Sequence, residues 1–396
     1  MTSPLHVAVV TETYPPEVNG VAMTLGHMVA GLRARGHRVS LTRPRQNAAD
    51  RAESMDGTRT TLLKGLPIPG YPGLKFGLPA PFELRRQWKS DRPDVVQVVT
   101  EGPLGASAVA AARALRIPVV TEFHTNFHAY SRHYGFGWME HLVALHLRRL
   151  HNRGDSTLVP SHQLGIDLMR RGYANVRVVA RGVDTRLFNP GRRSDELRAA
   201  WGAKPGELVA AYVGRIAPEK NLDLVFTAFA ALKRYVPQAR LVLVGDGPAR
   251  RRSEQANPGH VYAGMRHGED LATHYASADL FLFPSLTETY GNVTLEAMAS
   301  GLPVVAYRMA AAAELIQNGH NGMLAEPGDS GAYVRSVLDL AGRPDSRARI
   351  AERATASVAA FDWDRIHDRL VVVLREAIDQ STVQAANGPA FHFLPD

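Results

Sequence analysis

The feature that most constrains this chain is its rhythm. Short apolar runs rich in β-branched residues alternate with longer helical patterns almost from end to end. The N-terminal half offers runs at 6–11, 38–42, 95–99, 118–121, 157–160 and 176–180, and the C-terminal half at 208–214, 240–245, 260–263, 280–284, 303–307 and 322–325. Strands without polar alternation, separated by helices, belong to parallel sheets covered on both faces. Two such sets predict an α/β chain of two Rossmann-like domains, and 396 residues exceed one ordinary domain. Ligands of open parallel sheets bind at the strands' carboxyl ends, so two facing domains would share a cleft there. The stretch 181–193, RGVDTRLFNPGRR, carries Gly, Pro and charge without periodicity and marks the joint. The expected domains are 1–188 and 189–362. An amphipathic helix is expected over 363–380 and a mobile polar tail over 381–396.

The absence of cysteine excludes disulfides and thiolate metal sites, and it favours a reducing cytoplasm. No apolar run reaches membrane-spanning length, and MTSP passes straight into strand-like LHVAVV, so neither a spanning helix nor a cleaved signal is expected. The net charge of +8 is unevenly spread: residues 1–190 hold 24 Lys and Arg against 14 Asp and Glu, and the remainder hold 22 against 24. An anionic surface or substrate on the N-terminal half would explain that surplus, as would a genome that favours arginine. Nucleic acid is not an expected partner, because no RNP, helix-turn-helix or zinc-finger pattern is present.

The segment 284–305, PSLTETYGNVTLEAMASGLPVV, carries the densest chemistry. It follows a buried strand, DLFLFP, and contains a helix from about Val293 to Ser300. Glu288 then lies on the loop at the strand's carboxyl end, and Glu296 lies about one turn inside the helix. Between them the amides of Tyr290, Gly291, Asn292 and Val293 face outward at a helix N-terminus, which suits anionic or sugar oxygens. In this strand–loop–helix setting the E-x7-E spacing resembles the signature of retaining nucleotide-sugar glycosyltransferases of the GT-B fold, family 4. That resemblance implies that Glu288 binds sugar hydroxyls and Glu296 ribose hydroxyls. The joint's GVD-x-x-x-F is similar to the family's interdomain crossing, and the last helix is then expected to return to the N-terminal domain.

Four further motifs fit the resemblance. In 14–25, YPPEVNGVAMTL, Asn19-Gly20 opens a helix after the first strand. The residues alone suit a phosphate-facing amide or a plain N-cap equally, and the family's N-terminal glycine loop implies the former. In 213–221, VGRIAPEKN, Arg215 follows a strand and Lys220 precedes a helix. This G-R-x4-K is similar to the family's diphosphate clamp, although Asn221 stands where many members have glycine. Fixed cations there offset the charge that builds on the leaving oxygen. In 121–134, TEFHTNFHAYSRHY, His124 matches the active-site histidine, and the run resembles members that glycosylate lipids such as diacylglycerol. His124 and His128 have metal-like spacing but no third ligand. In 244–248, VGDGP, the dinucleotide fingerprint lacks its third glycine, which argues against NAD, and the family has a turn here near the donor pocket. The neighbouring Met265 is implied to lie under the nucleotide base.

Asp362-Trp363-Asp364 spells D-x-D but stands at a helix start, where Asp362 reads as an N-cap rather than a metal ligand. Met139, Leu142, Val143, Leu147 and Leu150 form a helical stripe flanked by Arg148, Arg149, His151 and Arg153. Residues 82–92, FELRRQWKSDR, add a basic segment with a tryptophan. Both suit anionic headgroups, while a stripe of this kind also serves as a core face.

The resemblance to family 4 implies a retaining, metal-independent hexosyltransferase without cofactor. Its donor would be a nucleotide-diphospho-hexose, GDP-mannose or a UDP-sugar, held mainly by the C-terminal domain. Its acceptor would be a membrane lipid or glycolipid entering from the N-terminal domain, and the location cytoplasmic, peripheral on the membrane's inner face. The leaving diphosphate would deprotonate the acceptor. Arg215 and Lys220 would hold its charge, and His124 would orient the sugar. A nucleotide-sugar epimerase of the same fold and a silent membrane-associated sugar-nucleotide sensor are the rival readings. Acceptor-dependent product formation separates the first, and the intact set of charged residues argues against the second.

Overall fold

The computed structural model describes residues 3–386 apart from 18, 48–49, 53–57, 68–74, 125–139 and 289. The chain divides into two compact units, Met1–Ala180 with Asp364–Asp396, and Arg181–Trp363.

The first unit is built on β1 (His6–Val10), α1 (Gly20–Ala34), β2 (Arg38–Pro44), β3 (Arg59–Leu63), β4 (Gly65–Pro67) and β5 (Lys75–Gly77). It continues with α2 (Pro81–Ser90), β6 (Val95–Val98), α3 (Pro103–Ala114), β7 (Val119–Glu122), α4 (Glu140–Asn152), β8 (Ser156–Val159), α5 (His162–Arg170) and β9 (Val176–Val178). Seven strands form one parallel sheet in the order β3-β2-β1-β6-β7-β8-β9. All five residues of β1 are buried, as a strand covered on both faces requires. Helices α2 and α3 both start with proline, whose missing N–H costs nothing at that position. Leu84 and Trp88, one turn apart on α2, are buried in the same core as α3. The six expected strands are present. The edge strand β3 and the antiparallel pair β4–β5 are not among the expectations, because RTTLL and its successors are short and only half-buried and lack the apolar signature of the inner strands.

The second unit contains α6 (Asp195–Ala200), β10 (Val209–Val213), α7 (Leu222–Tyr235), β11 (Arg240–Val244), α8 (Arg250–Ala256), β12 (Val261–Gly264) and α9 (Gly268–Ala276). After these come β13 (Leu280–Phe283), α10 (Asn292–Ala299), β14 (Val304–Tyr307), α11 (Ala310–Leu315), β15 (Met323–Ala325), α12 (Ser330–Gly342) and α13 (Pro344–Val358). Its parallel sheet runs β12-β11-β10-β13-β14-β15. That is the Rossmann order, in which the chain reverses direction across the sheet between β10 and β13 and opens a crevice at their carboxyl ends. The fold is α/β with two Rossmann-like units.

Residues 181–188 pack within the second unit. Val183 N–H donates to Phe361 O at 2.9 Å, Asp184 Oδ1 accepts from the amides of Arg186 and Leu187, and Phe188 meets the Tyr275 ring edge-on at 5.8 Å. Gly182 faces Trp363 so closely that a Cβ would lie 2.5 Å from its ring. The last helix, α14 (Trp363–Ala386), is held on the first unit. Arg35 donates to Asp368 Oδ1 and to Asp364 O, both at 2.7 Å, and Arg375 donates to Ser3 O at 2.6 Å. The segment expected as a tail is helical as far as Ala386, and its remainder lies outside the described residues.

Candidate functional site

In the second unit, Arg215, Lys220 and Glu288 lie on the loops where the sheet order reverses. Arg215 follows β10 by two residues, and Lys220 closes the short turn that leads into α7. Glu288 lies on the loop after β13, the neighbouring strand. Two hydrogen bonds join these loops: Asn221 Nδ2 donates to Pro284 O at 3.2 Å, and Thr287 Oγ1 donates to Glu219 O at 3.2 Å. Lys220 Nζ and Glu288 Oε1 form a direct ion pair, and Ser285 Oγ donates to the same oxygen at 2.7 Å. The residues expected to serve diphosphate and sugar separately are thus each other's partner in the resting site. Arg215 is about half exposed, with Glu219 at 3.6 Å.

Asn221 adopts a left-handed conformation, φ 56° and ψ 42°. Glycine and asparagine are the residues that tolerate it, which explains the departure from the family pattern.

Past Glu288, Gly291 takes φ 89° and turns the chain into α10, which has no capping side chain. Asn292 and Val293 are the first residues of α10, where backbone amides have no partner within the helix. Asn292 Oδ1 is buried without a partner. The Tyr290 ring is buried, with the Arg181 guanidinium 6.0 Å from its centroid. Glu296 accepts from Tyr275 O–H at 2.8 Å. Burial pushes its carboxyl up to about 7, against the opposing pull of the Tyr275 hydrogen bond. Tyr275 also receives Phe188, so the joint motif braces the second glutamate of the pair.

The VGDGP loop is a brace. A Cβ on Gly245 would lie 2.0 Å from Gly214 O, and one on Gly247 would lie 2.3 Å from Ile216 O. Ile216 N–H donates to Asp246 O at 2.9 Å, and Ala249 N–H donates to Ile216 O at 3.0 Å. The glycines let this loop lie flat against the one that carries Arg215. Met265, half exposed, stands past β12, two strand positions from β10.

In the first unit, Asn19 Oδ1 accepts from Val21 N–H at 3.1 Å and from Ala22 N–H at 2.9 Å. Those two amides of α1 serve the N-cap, so the plain-cap reading holds for them, and Gly20 opens the helix beside them. Asn19 Nδ2 donates to Thr13 Oγ1 at 2.7 Å, and Thr13 donates to Glu17. At the carboxyl end of β1, Glu12 N–H donates to Thr100 Oγ1 at 2.9 Å, and burial pushes the Glu12 carboxyl up to about 7. His124, two residues past β7, is buried, and its Nε2 lies 2.5 Å from Glu122 Oε2. His128 and most of FHTNFHAY lie outside the described residues.

Several surface expectations need correction. Trp88 is 1% exposed and belongs to the core, which leaves Phe82, 78% exposed, as the apolar side chain α2 presents. On α4, Leu147 and Leu150 are core residues while Leu142 is exposed. His151 is fully buried beside Phe123 and Tyr173 and contributes nothing to a basic rim. Met139 lies outside the described residues. Asp362 accepts from Thr185 Oγ1 at 3.2 Å and Asp364 meets Arg35, so the D-x-D carboxylates have protein partners. Tyr275 and Ser285 carried no sequence signal. Glu122 did, since it precedes His124 by two along a strand end and alternation puts both on one face.

Comparison with known proteins gives concordant findings. The model described as Glycosyltransferase Family 4 matches residues 18–187, and that described as Glycosyl transferases group 1 matches 207–343. A GDP-mannose-dependent alpha-mannosyltransferase of Mycobacterium tuberculosis is 34% identical over 96% of this chain and 99% of its own. An alpha-monoglucosyldiacylglycerol synthase of Streptococcus pneumoniae is 26% identical over 92% of this chain and 85% of its own. Among solved structures, sucrose-phosphate synthase of Thermosynechococcus elongatus superposes with a TM-score of 0.76 at 19% identity, covering 95% of this chain and 100% of the other. The fold is GT-B.

Proposed function

The chain belongs to glycosyltransferase family 4, and we propose that it transfers mannose from GDP-mannose, with retention, to a hydroxyl of a membrane lipid or glycolipid. The observation that carries the reading is the charge cluster at the reversal point of the second sheet, where Arg215, Lys220 and Glu288 converge beside the uncapped start of α10. At rest Lys220 is neutralised by Glu288. A diphosphate brings more negative charge than one carboxylate, so it takes over Lys220 and recruits the half-exposed Arg215. Glu288, released from the lysine, then accepts from sugar hydroxyls. The carboxyl of Glu296 accepts from ribose hydroxyls, and Met265 lies against the base. As the sugar–oxygen bond breaks, the two cations and the α10 amides stabilise charge on the departing diphosphate, which takes the acceptor's proton. No carboxylate is needed as nucleophile, and no metal is needed for the charge. His124 orients the sugar. The enzyme works at the inner face of the membrane.

The test is transfer of labelled sugar from GDP-mannose, UDP-glucose and UDP-galactose to extracted membrane lipids, with and without EDTA. The expected result is a mannolipid formed only from GDP-mannose, undiminished by EDTA and alkali-stable at an α-linkage. Label released only as free sugar, or product from a UDP-sugar alone, overturns the donor or acceptor assignment.

A further inference from the structure

Behind His124 lies a buried side chain to which the family resemblance assigns no role. Glu122, the last residue of β7, is 2% exposed. Its Oε2 is 2.5 Å from His124 Nε2, and its Oε1 accepts from Nε2 of Gln97 on the adjacent strand β6, a residue itself 1% exposed. A carboxylate in a protein interior is costly unless its oxygens are satisfied. Here one oxygen takes an amide and the other an imidazole. The β6–β7 ladder itself is made by backbone pairing of Val96, Gln97 and Val98 with Val119, Val120 and Thr121.

We infer that Glu122 is a positioning residue for sugar transfer, one that acts only through His124. A carboxylate accepting at Nε2 keeps a proton on that nitrogen and fixes the rotamer of the ring. Gln97 in turn holds the carboxylate in one orientation. When the sugar–diphosphate bond breaks, its electron pair leaves with the diphosphate and positive character builds on the sugar ring. A polarised imidazole beside that ring stabilises the charge better than a freely rotating neutral one, and the negative charge of Glu122 reaches the sugar without contacting it. This inference rests on His124 being a site residue, as proposed above.

The experiment is a double-mutant cycle on the full-length enzyme with GDP-mannose and a lipid extract, using Glu122→Gln, His124→Ala and both together. Histidine-labelled enzyme supplies ring ¹⁵N spectra, in which the His124 signal is assigned by its loss in His124→Ala. Glutamine nearly matches glutamate in shape, and the melting temperature of each variant checks the fold. Glu122→Gln is expected to lower kcat at least tenfold while moving the donor KM less than threefold. It should have no further effect in the His124→Ala background, and it should shift the Nε2 resonance of His124 in the single variant. An equal loss of kcat in both backgrounds, or an unmoved His124 resonance, overturns the inference. Full turnover by His124→Ala overturns the reading of His124 itself and so removes the group through which Glu122 would act.

Discussion

In the clamp proposed for the second unit, each cation has its own expected effect on turnover. Replacing either Arg215 or Lys220 by alanine removes one preorganised cation from developing charge, a loss of roughly 3 kcal/mol or about a hundredfold in turnover. Steady-state kinetics should show this in kcat more than in donor KM, and near-normal turnover in both variants would sink the diphosphate site. Lys220→Ala carries a second consequence, because it leaves Glu288 without its ion-pair partner. Asn221 sets the turn that aims Lys220, and its left-handed backbone predicts a simple pattern. Asn221→Gly should keep stability and activity, whereas Asn221→Val should lose about 1–2 kcal/mol in urea unfolding. Equal stability of the two would show that the turn relaxes elsewhere. Glu296 adds a pH signature. Its folded-state carboxyl lies near 7, above the unfolded value of 4.5, so its contribution to stability is full below about pH 4.5 and is lost as pH rises through 7. The melting temperature should therefore fall between pH 5 and 8. Glu296→Gln should remove this component, leaving those of Glu12 and Glu17, which are also raised, and of His6, His37, His260 and His367, whose lowered values act in the opposite sense. A slope unchanged in Glu296→Gln would mean that the carboxyl is ionised throughout. Arg215, Lys220, Glu288 and Glu296 were legible because each lies at a fixed distance from a strand end. Tyr275 and Ser285 were not, since each acts on a glutamate through folding of the loops rather than through spacing.

Among the elements, α14 shows what periodicity reveals and what it hides. The apolar face of 363–378 was readable, and Ile366, Leu370, Val373, Leu374 and Ala377 are indeed buried. Its seat was not readable, because it is made with α1, more than 300 residues earlier in the chain. There the His367 ring lies over Gly31 so tightly that a Cβ would come within 2.2 Å of it. Gly31→Val must therefore push the two helices apart and lower the melting temperature, an overpacking cost of about 1–3 kcal/mol. His367→Ala in the same chain opens room and should restore part of the loss. If Gly31→Val alone melts like the parent, the helices are not in register as described. The same logic separates the two glycine-rich loops. Asn19 engages two amides of the helix that Gly20 opens, and VGDGP packs its backbone against the loop that carries Arg215. Sequence shows where a chain must turn sharply, but a turn's purpose depends on which backbone lies opposite, and that is set by sheet order.

Across the molecule, charge is segregated in a way no single element explains. The surplus of basic residues falls in 1–190, most of which belongs to the first unit, while the remainder is close to neutral. On α2 the burial of Leu84 and Trp88 turns Arg85, Arg86 and Lys89 outward, beside the exposed Phe82. The helix thus presents three cations and one aromatic ring to solvent, with its tryptophan committed to the core. No described helix is long and apolar enough to cross a membrane. Basic residues near an anionic surface contribute on the order of 1 kcal/mol each, and the effect fades with salt over about 8–10 Å of screening length. Three such residues give reversible docking of a few kcal/mol, which suits an enzyme that must release product and rebind. Binding to vesicles should therefore rise with the fraction of anionic lipid and fall as ionic strength increases. Reversing Arg85, Arg86 and Lys89 to glutamate should weaken vesicle binding at least tenfold while leaving GDP-mannose affinity unchanged, since none of the three lies in the unit that carries the clamp. Phe82→Ala should weaken it less, and with little dependence on salt, because what it removes is apolar area. Cosedimentation at two salt concentrations distinguishes these contributions. A charge-reversed enzyme that still binds anionic vesicles like the parent would assign docking to another face, and a parent that ignores them altogether would leave the arginine surplus to genomic composition.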